Sequence, residues 1–336
     1  DVGWYGVAYG DADDDRPLPG GASNLVVSNS GPVDSEDAQV TSLSVNPNPV
    51  DVSSGPQIFD LTVGFTDDAS GVERLFITLE SPGGEERIFE LVRALVPNTG
   101  TITNGTVTIP IEIPGYTYAG DWTIEVSIYD RSGNYNGYND PEDYPVGVLN
   151  YFTVVNTTGV DLDPPALVSL EFLSNEVDIT DGEARFDFRA VVTDNLSGFD
   201  FGRIELISPT GASPDQSVGF YDDDIDPSGA ADNYFEDFLI DPFIEPGLWK
   251  VLVYLRDING NTIELGEGGD GPLPPGVPTE FLIRNTGPID ATPPVVSNIS
   301  ITPDAFNVTD APGYLRLEFD VSDDVSGFSE RRGAEL

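Results

Sequence analysis

One period governs this chain. The segments SNSGPVD (Ser28 to Asp34), NTTGVD (Asn156 to Asp161) and NTGPID (Asn285 to Asp290) set Gly31, Gly159 and Gly287 at equal intervals, since 159 − 31 and 287 − 159 both give 128. Trp122 and Trp249, Asp130 and Asp257, and Gly71 and Gly198 each stand 127 apart. A period this long marks a domain repeated in tandem, and multiplying a scaffold serves length or valency, whereas catalysis needs one site. The repeat divides the 336 residues into the C-terminal part of a preceding unit (1–37), two complete units (38–161 and 162–290) and the N-terminal part of a further one (291–336). GWYGVAY, before Asp11, resembles GDWTIEVSIYD (Gly120 to Asp130) and GLWKVLVYLRD (Gly247 to Asp257); PPVVSNISITPDAFNVTD near the end repeats PPALVSLEFLSNEVDITD (Pro164 to Asp181). The chain therefore reads as a window from a longer array. If that window is the mature subunit, the early strands of the last piece should pair with the late strands of the first piece of another copy, giving a head-to-tail filament.

Within each unit apolar and polar residues alternate, as in FDLTVGF (Phe59 to Phe65), WTIEVSIYD (Trp122 to Asp130) and ARFDFRAVV (Ala184 to Val192). Period two with Val, Ile, Thr and aromatics predicts half-buried strands. Long helical patterns are missing, and 36 Gly with 28 Pro supply turns. Some seven short strands per unit give an all-β sandwich whose core is the inward residues of two sheets. DLDPP (Asp161 to Pro165) and DATPP (Asp290 to Pro294) join the units. Paired prolines stiffen such joints, so an extended rod is expected. Trp122 and Trp249, each opening a repeated strand, suit a buried core position better than a sugar-stacking platform.

Fifty-nine Asp and Glu face 14 Lys and Arg, for a net charge of −45. Such a surface repels nucleic acid and anionic lipid, because phosphate contacts need Lys and Arg. No apolar run reaches the length of a membrane helix, so no membrane insertion is expected. The chain has no Cys and no His, which removes disulfides, thiolate metal sites and the usual proton shuttle. Its self-repulsion calls for cations, either as a screening atmosphere or as bound Ca²⁺.

The central TDDASGV (Thr66 to Val72), TDNLSGF (Thr193 to Phe199) and SDDVSGF (Ser322 to Phe328), with the closing YDRSGN (Tyr129 to Asn134) and RDINGN (Arg256 to Asn261), resemble the immunoglobulin-like repeats of bacterial and archaeal surface proteins. The resemblance spans essentially the whole chain. It implies tandem immunoglobulin-like β-sandwiches, secretion to the cell surface, and service as spacers, adhesive stalks or filament subunits, commonly with Ca²⁺.

In a sandwich of this type the D-x-x-S-G loop joins the second and third strands, and the D-x-x-G-N loop the last two, at one end of the domain. That gathers Asp67 and Asp68 near Asp130 and Asn134, and Asp194 near Asp257, Asn259 and Asn261. Converging carboxylate and amide oxygens suit Ca²⁺, which takes six to eight oxygen ligands. The alternative is that these are turn residues, Asp and Asn closing Asx-turns and Gly taking positive φ. The joint acids Asp161 and Asp163 pose the same choice, between an interdomain ion that stiffens the rod and simple solvation of the joint. Asn104, Asn156, Asn195, Asn298 and Asn307 head N-x-S/T sequons, candidate glycosylation sites.

Three functions fit these features. The first is a non-enzymatic structural protein, a rigid extracellular array in a stalk, adhesin or filament, cation-stabilised and partnered by neighbouring repeats or copies of itself. The second is a module that binds a cell-surface carbohydrate or protein. The third is an accessory segment of a secreted hydrolase.

Overall fold

The computed structural model describes residues 26–31, 33–84, 87–221, 233–308 and 313–327. A three-residue strand, β1 (Val26–Ser28), comes first. The first sandwich follows with β2 (Gln39–Asn46), β3 (Val50–Asp51), β4 (Gln57–Thr66), β5 (Val72–Glu80), β6 (Arg87–Val92), β7 (Thr99–Thr101), β8 (Asn104–Ile113), β9 (Gly120–Asp130), β10 (Tyr135–Tyr138) and β11 (Tyr151–Val155). One sheet has the order β2-β4-β8-β7 and the other β3-β11-β9-β5-β6, with β10 also on β9. Alternation does what the sequence expects: β9 reads intermediate, exposed, then buried at every second residue from Trp122 to Asp130. Phe59, Leu61, Val63 and Phe65 of β4 meet Leu75, Ile77 and Leu79 of β5 and Ile124, Val126 and Ile128 of β9 in one core.

The second sandwich repeats the plan with β12 (Ala166–Phe172), β13 (Glu176–Asp178), β14 (Ala184–Thr193), β15 (Phe199–Ile207), β16 (Gln216–Tyr221), β17 (Asn233–Ile240), β18 (Gly247–Asp257), β19 (Thr262–Gly266) and β20 (Glu280–Arg284). Its sheets run β12-β14-β17 and β13-β20-β18-β15-β16, with β19 on β18. Antiparallel sheets around one core, with a short early strand parallel to the last one (β3 on β11, β13 on β20), make both units immunoglobulin-like. The last strand is split in each: β10 and β11 lie along the same edge of β9, separated by residues 139–150, and β19 and β20 share an edge of β18 in the same way.

Trp122 and Trp249 are fully buried, and each indole N–H donates to the carbonyl four residues earlier, Tyr118 O at 2.8 Å and Glu245 O at 3.1 Å. The two cores are filled differently at one cross-strand pair. Leu75 faces Val92 in the first sandwich, whereas Gly202 faces Phe220 in the second. A Cβ on Gly202 would lie 2.2 Å from the Phe220 ring, so the ring occupies the volume that Leu75 fills in the sister domain.

Three further strands, β21 (Val295–Thr302), β22 (Ala305–Asn307) and β23 (Arg316–Ser322), reproduce the opening of a third unit, with β21 on β23. β22 pairs in parallel with β1, Val26 opposite Ala305 and Ser28 opposite Asn307. This is the register of Leu282 and Arg284 on Glu176 and Asp178 in the second sandwich. β22 presents the edge on which a final strand docks, and β1 has the sequence of that strand. The pairing sets a strand of the opening partial unit beside a strand of the closing one.

Gly202→Ala is expected to destabilise the second sandwich by about 1–3 kcal/mol through overpacking against Phe220. Calorimetric unfolding of the whole chain checks this: the transition of the second sandwich should move down while that of the first stays in place.

Candidate metal centres at the domain junctions

The junctions are built from the same pieces of chain, three at Asp34 and at Asp161 and two of them at Asp290. In the D-x-x-S-G loop the aspartate closes an Asx-turn on its own backbone. Asp67 Oδ2 accepts from the amides of Ala69 and Gly71, Asp194 Oδ1 from Leu196 and Gly198, and Asp323 Oδ1 from Val325 and Gly327. The turn needs left-handed backbone at its glycine, with φ of 88° at Gly71, 98° at Gly198 and 77° at Gly327. In the same loop the serine amide turns outward and donates to an aspartate of the linker that precedes the domain. Ser70 N meets Asp34 Oδ2 at 2.7 Å, Ser197 N meets Asp161 Oδ2 at 2.7 Å, and Ser326 N meets Asp290 Oδ2 at 3.0 Å.

The D-x-x-G-N turn supplies the third piece. Asp130 Oδ2 accepts the side-chain amide of Asn134 at 2.7 Å, and Asp257 Oδ2 that of Asn261 at 2.7 Å. The same amide nitrogens reach the linker carbonyls, Asn134 to Asp34 O at 3.3 Å and Asn261 to Asp161 O at 3.1 Å. The outcome is three acidic clusters: Asp34, Asp67 and Asp130; Asp161, Asp194 and Asp257; and Asp290, Asp323 and Asp324. In each, one oxygen from every residue lies within 4.8 Å of the others.

The expected residues therefore divide. Asp67, Asp130, Asp194, Asp257 and Asp161 come together, and Asp161 joins the loop cluster of its following domain instead of forming a separate interdomain site with Asp163. Asp163 is exposed and accepts from Asn195. Asp68 is exposed and outside the cluster. Asn134 and Asn261 present their NH₂ groups to the carboxylates, so each turns its amide nitrogen and not its oxygen toward the cluster. Asn259 is 9% exposed; its NH₂ donates to Tyr116 O, and its Oδ1 is buried without a donor. Sequence reasoning passed over Asp34, Asp290, Asp323 and Asp324, although the repeat contained the signal: 161 − 34 is 127 and 290 − 161 is 129. Among the sequons, Asn156 uses the nitrogen that a glycan would occupy to bond Thr117 O and Gly159 O, and Asn298 uses its own on Asp320.

Turn chemistry accounts for only part of this arrangement. Asp67 Oδ1, Asp34 Oδ1 and Asp194 Oδ2 are buried and accept no hydrogen bond. Asp130, Asp161 and Asp257 are each 1% exposed. Two unit charges 4.8 Å apart repel by about 3–4 kcal/mol at an effective dielectric near 20, and each cluster has three such pairs. Burial, helped by the charges of Asp161 and Asp194, accordingly pushes the Asp257 carboxyl above its ordinary value against the opposing bonds from Asn261. The donor set is all hard oxygen, which fits Ca²⁺ and leaves soft metals without a ligand.

At the second junction a cleft of about 590 Å³ is bounded by Phe243, Ile244, Asp290, Pro294, Asp323 and Gly327. The counterparts of Phe243, Asp290 and Gly327 at the first junction surround the turn that carries Asn259. The cleft thus corresponds to space that a D-x-x-G-N turn fills where a unit is complete.

No family model matches this chain, and no curated protein does. Among solved structures it is similar to CBD12 from CALX1.2, with 12% identity over 64% of this chain and 81% of that one and a TM-score of 0.21. It is also similar to a two-domain fibronectin type III segment of chicken tenascin, with 13% identity, 67% and 96% coverage and a TM-score of 0.19. CBD12 of CALX1.1 matches at 14% identity, 62% and 76% coverage and a TM-score of 0.19. Likeness at this level carries no weight beside the strand pairing, which fixes the sandwich by itself.

The raised Asp257 carboxyl sets a pH dependence. In chelator the folded state holds a proton here that the unfolded chain has released, so this group's contribution to stability falls as pH rises through the raised value. Urea unfolding of wild type and Asp257→Asn, both in chelator, isolates the effect. On acidification from neutral pH, wild type should gain stability relative to the variant, and a pH-independent difference would contradict the shift.

Proposed function

We propose that this chain is a non-catalytic structural segment of an extracellular repeat array, a surface stalk, adhesin or filament, whose domain junctions are held by Ca²⁺. The observation that carries the reading is the recurrence, at successive junctions, of a carboxylate from the linker among carboxylates of the following domain. A site of this composition makes the linker part of the domain it enters and turns flexible joints into fixed ones. Its partners on this reading are its own neighbouring repeats or further copies of the chain. A set of three carboxylates matches the weak affinities of extracellular Ca²⁺ modules, about 10⁻⁴–10⁻³ M.

One surface favours the alternative of a carbohydrate- or protein-binding module. On the outer face of the first sandwich Phe76, Phe89 and Tyr135 are 38%, 57% and 47% exposed, and the Arg74 guanidinium lies 4.1 Å from the centre of the Tyr129 ring. Aromatic and arginine side chains on an open sheet suit a partner that stacks. The second sandwich keeps the cross-strand pair with its members exchanged, Arg256 over Phe201 at 5.7 Å, which is also what sheet stabilisation alone would keep. Glycan-array binding that is lost on Phe89→Ala with Tyr135→Ala would support the module.

The Ca²⁺ reading is tested by melting the whole chain in EDTA, Ca²⁺ and Mg²⁺ at matched ionic strength. A ligand that binds only the native state adds about 2.7 kcal/mol at a hundredfold excess over Kd. Ca²⁺ should raise the melting temperature above both other conditions, and Asp67→Asn with Asp130→Asn should remove the gain of the first sandwich only. Equal melting in all three media would reject the sites.

A further inference from the structure

The linker aspartates are tied to the domain behind them as well as to the one ahead. Asp161 N donates to Tyr116 O at 2.8 Å, and Asp290 N to Phe243 O at 2.8 Å. Tyr116 and Phe243 occupy the same turn of the two sandwiches, between β8 and β9 and between β17 and β18. Both are bulky residues in left-handed backbone, with φ of 58° and 68°. Such backbone is costly for a residue with a Cβ and persists only where the surroundings enforce it. Here it points a carbonyl out of the preceding domain at the amide of the cation-facing aspartate. At the first junction the same Tyr116 carbonyl accepts a second bond, from the Asn259 side chain of the following domain at 2.8 Å. Asn259 belongs to the turn that holds Asp257, between Asp257 and Asn261, both of which enter the cluster's hydrogen bonding.

Resting on the Ca²⁺ reading, we infer that the centre at Asp161, Asp194 and Asp257 is a two-domain site in which cation occupancy and the docking of the first sandwich on the second are coupled through the Tyr116 carbonyl. The linker carboxylate reaches the cluster only while its amide is held by Tyr116, and the Asp257 turn is registered on the same carbonyl through Asn259. Coupling of this kind is reciprocal: Ca²⁺ fixes the interdomain angle, and a fixed angle raises the affinity for Ca²⁺. With the ion removed, three like charges drive the pieces of the junction apart, and the two sandwiches are released to reorient.

The chain has no cysteine, which allows a direct test. Val96→Cys and Leu248→Cys, at positions 78% and 52% exposed, place one spin label on each sandwich of the whole chain. Electron–electron distance measurements should give one narrow distribution in Ca²⁺ and a broad one in chelator. Asn259→Ser, the residue the first repeat has at Ser132, leaves all three carboxylates in place. It should keep the Ca²⁺ stoichiometry measured by calorimetry, weaken one site several-fold, and broaden the distribution even in Ca²⁺. Distributions of equal width in Ca²⁺ and chelator, with calorimetric binding intact, overturn the coupling and leave the Ca²⁺ reading standing. Absence of calorimetric binding overturns that reading and the coupling with it.

Discussion

Like charge gathered in a confined place is the constraint on which the junctions depend. A sandwich can close its loop ends with any small polar turn, and nothing in packing asks for three aspartates within 4.8 Å of one another. Bringing them there costs several kcal/mol per pair unless something positive compensates. The hydrogen bonds around the clusters reduce that cost only in part, because the turn amides and the Asn134 and Asn261 side chains each take one face of a carboxylate and leave others turned to their acidic neighbours. The two-sheet core supplies the rigidity that makes the crowding tolerable. Asp130 and Asp257 end β9 and β18, strands anchored by Trp122 and Trp249 eight residues earlier, so they cannot swing apart without unravelling the sheet.

Turn chemistry and ligand chemistry are not alternatives at these junctions, because one carboxylate has room for both. A carboxylate has two oxygens and about four acceptor sites. Asp194 gives Oδ1 to the amides of Leu196 and Gly198 and keeps Oδ2 buried and free of donors. Asp67 divides its oxygens in the same manner. The turn thus orients the second oxygen, and the glycine with positive φ that the turn requires is what lets the serine amide reach out to the linker aspartate. The D-x-x-S-G motif is a device for aiming one oxygen and one amide at the same point.

Much of this was legible in the sequence because it depends on short-range periodicity. Alternation in Phe59–Phe65 and Trp122–Asp130 placed strands and core together, and loops of one sandwich end must come close once the strands are in order. The place of the linker carboxylate was only half legible. Asp161 stands out in the sequence as a joint acid open to an ion or to simple solvation, and it is the serine amide of a loop 36 residues away, with the Tyr116 carbonyl on its own amide, that draws it in beside Asp194 and Asp257. Asn134 and Asn261 were assigned as oxygen donors because an amide side chain has both an oxygen and a nitrogen, and which one faces a carboxylate is decided by the partner's charge. The split last strand escaped notice for a related reason. Residues 139–150 leave the edge of β9 to bury Tyr144, whose hydroxyl lies 2.8 Å from Ile124 O, and no two-residue period announces a loop that packs this way.

The net charge of −45 and the junction clusters act at different ranges. Spread over the surface, the excess acid is screened within about 8–10 Å by ordinary salt, and no particular ion is selected. Inside a cluster three carboxylates lie closer to one another than that length, and oxygens of Asp34, Asp67 and Asp194 are shielded from water, so bulk salt does little there and the repulsion is relieved by a proton, as at Asp257, or by a cation that binds. Size then matters: a set of loosely spaced carboxylates on turns accommodates the longer bonds and variable coordination of Ca²⁺ more readily than the compact octahedron of Mg²⁺. The diffuse charge therefore answers to ionic strength alone, whereas the confined charge is the part that, on the proposed reading, would respond to one particular ion.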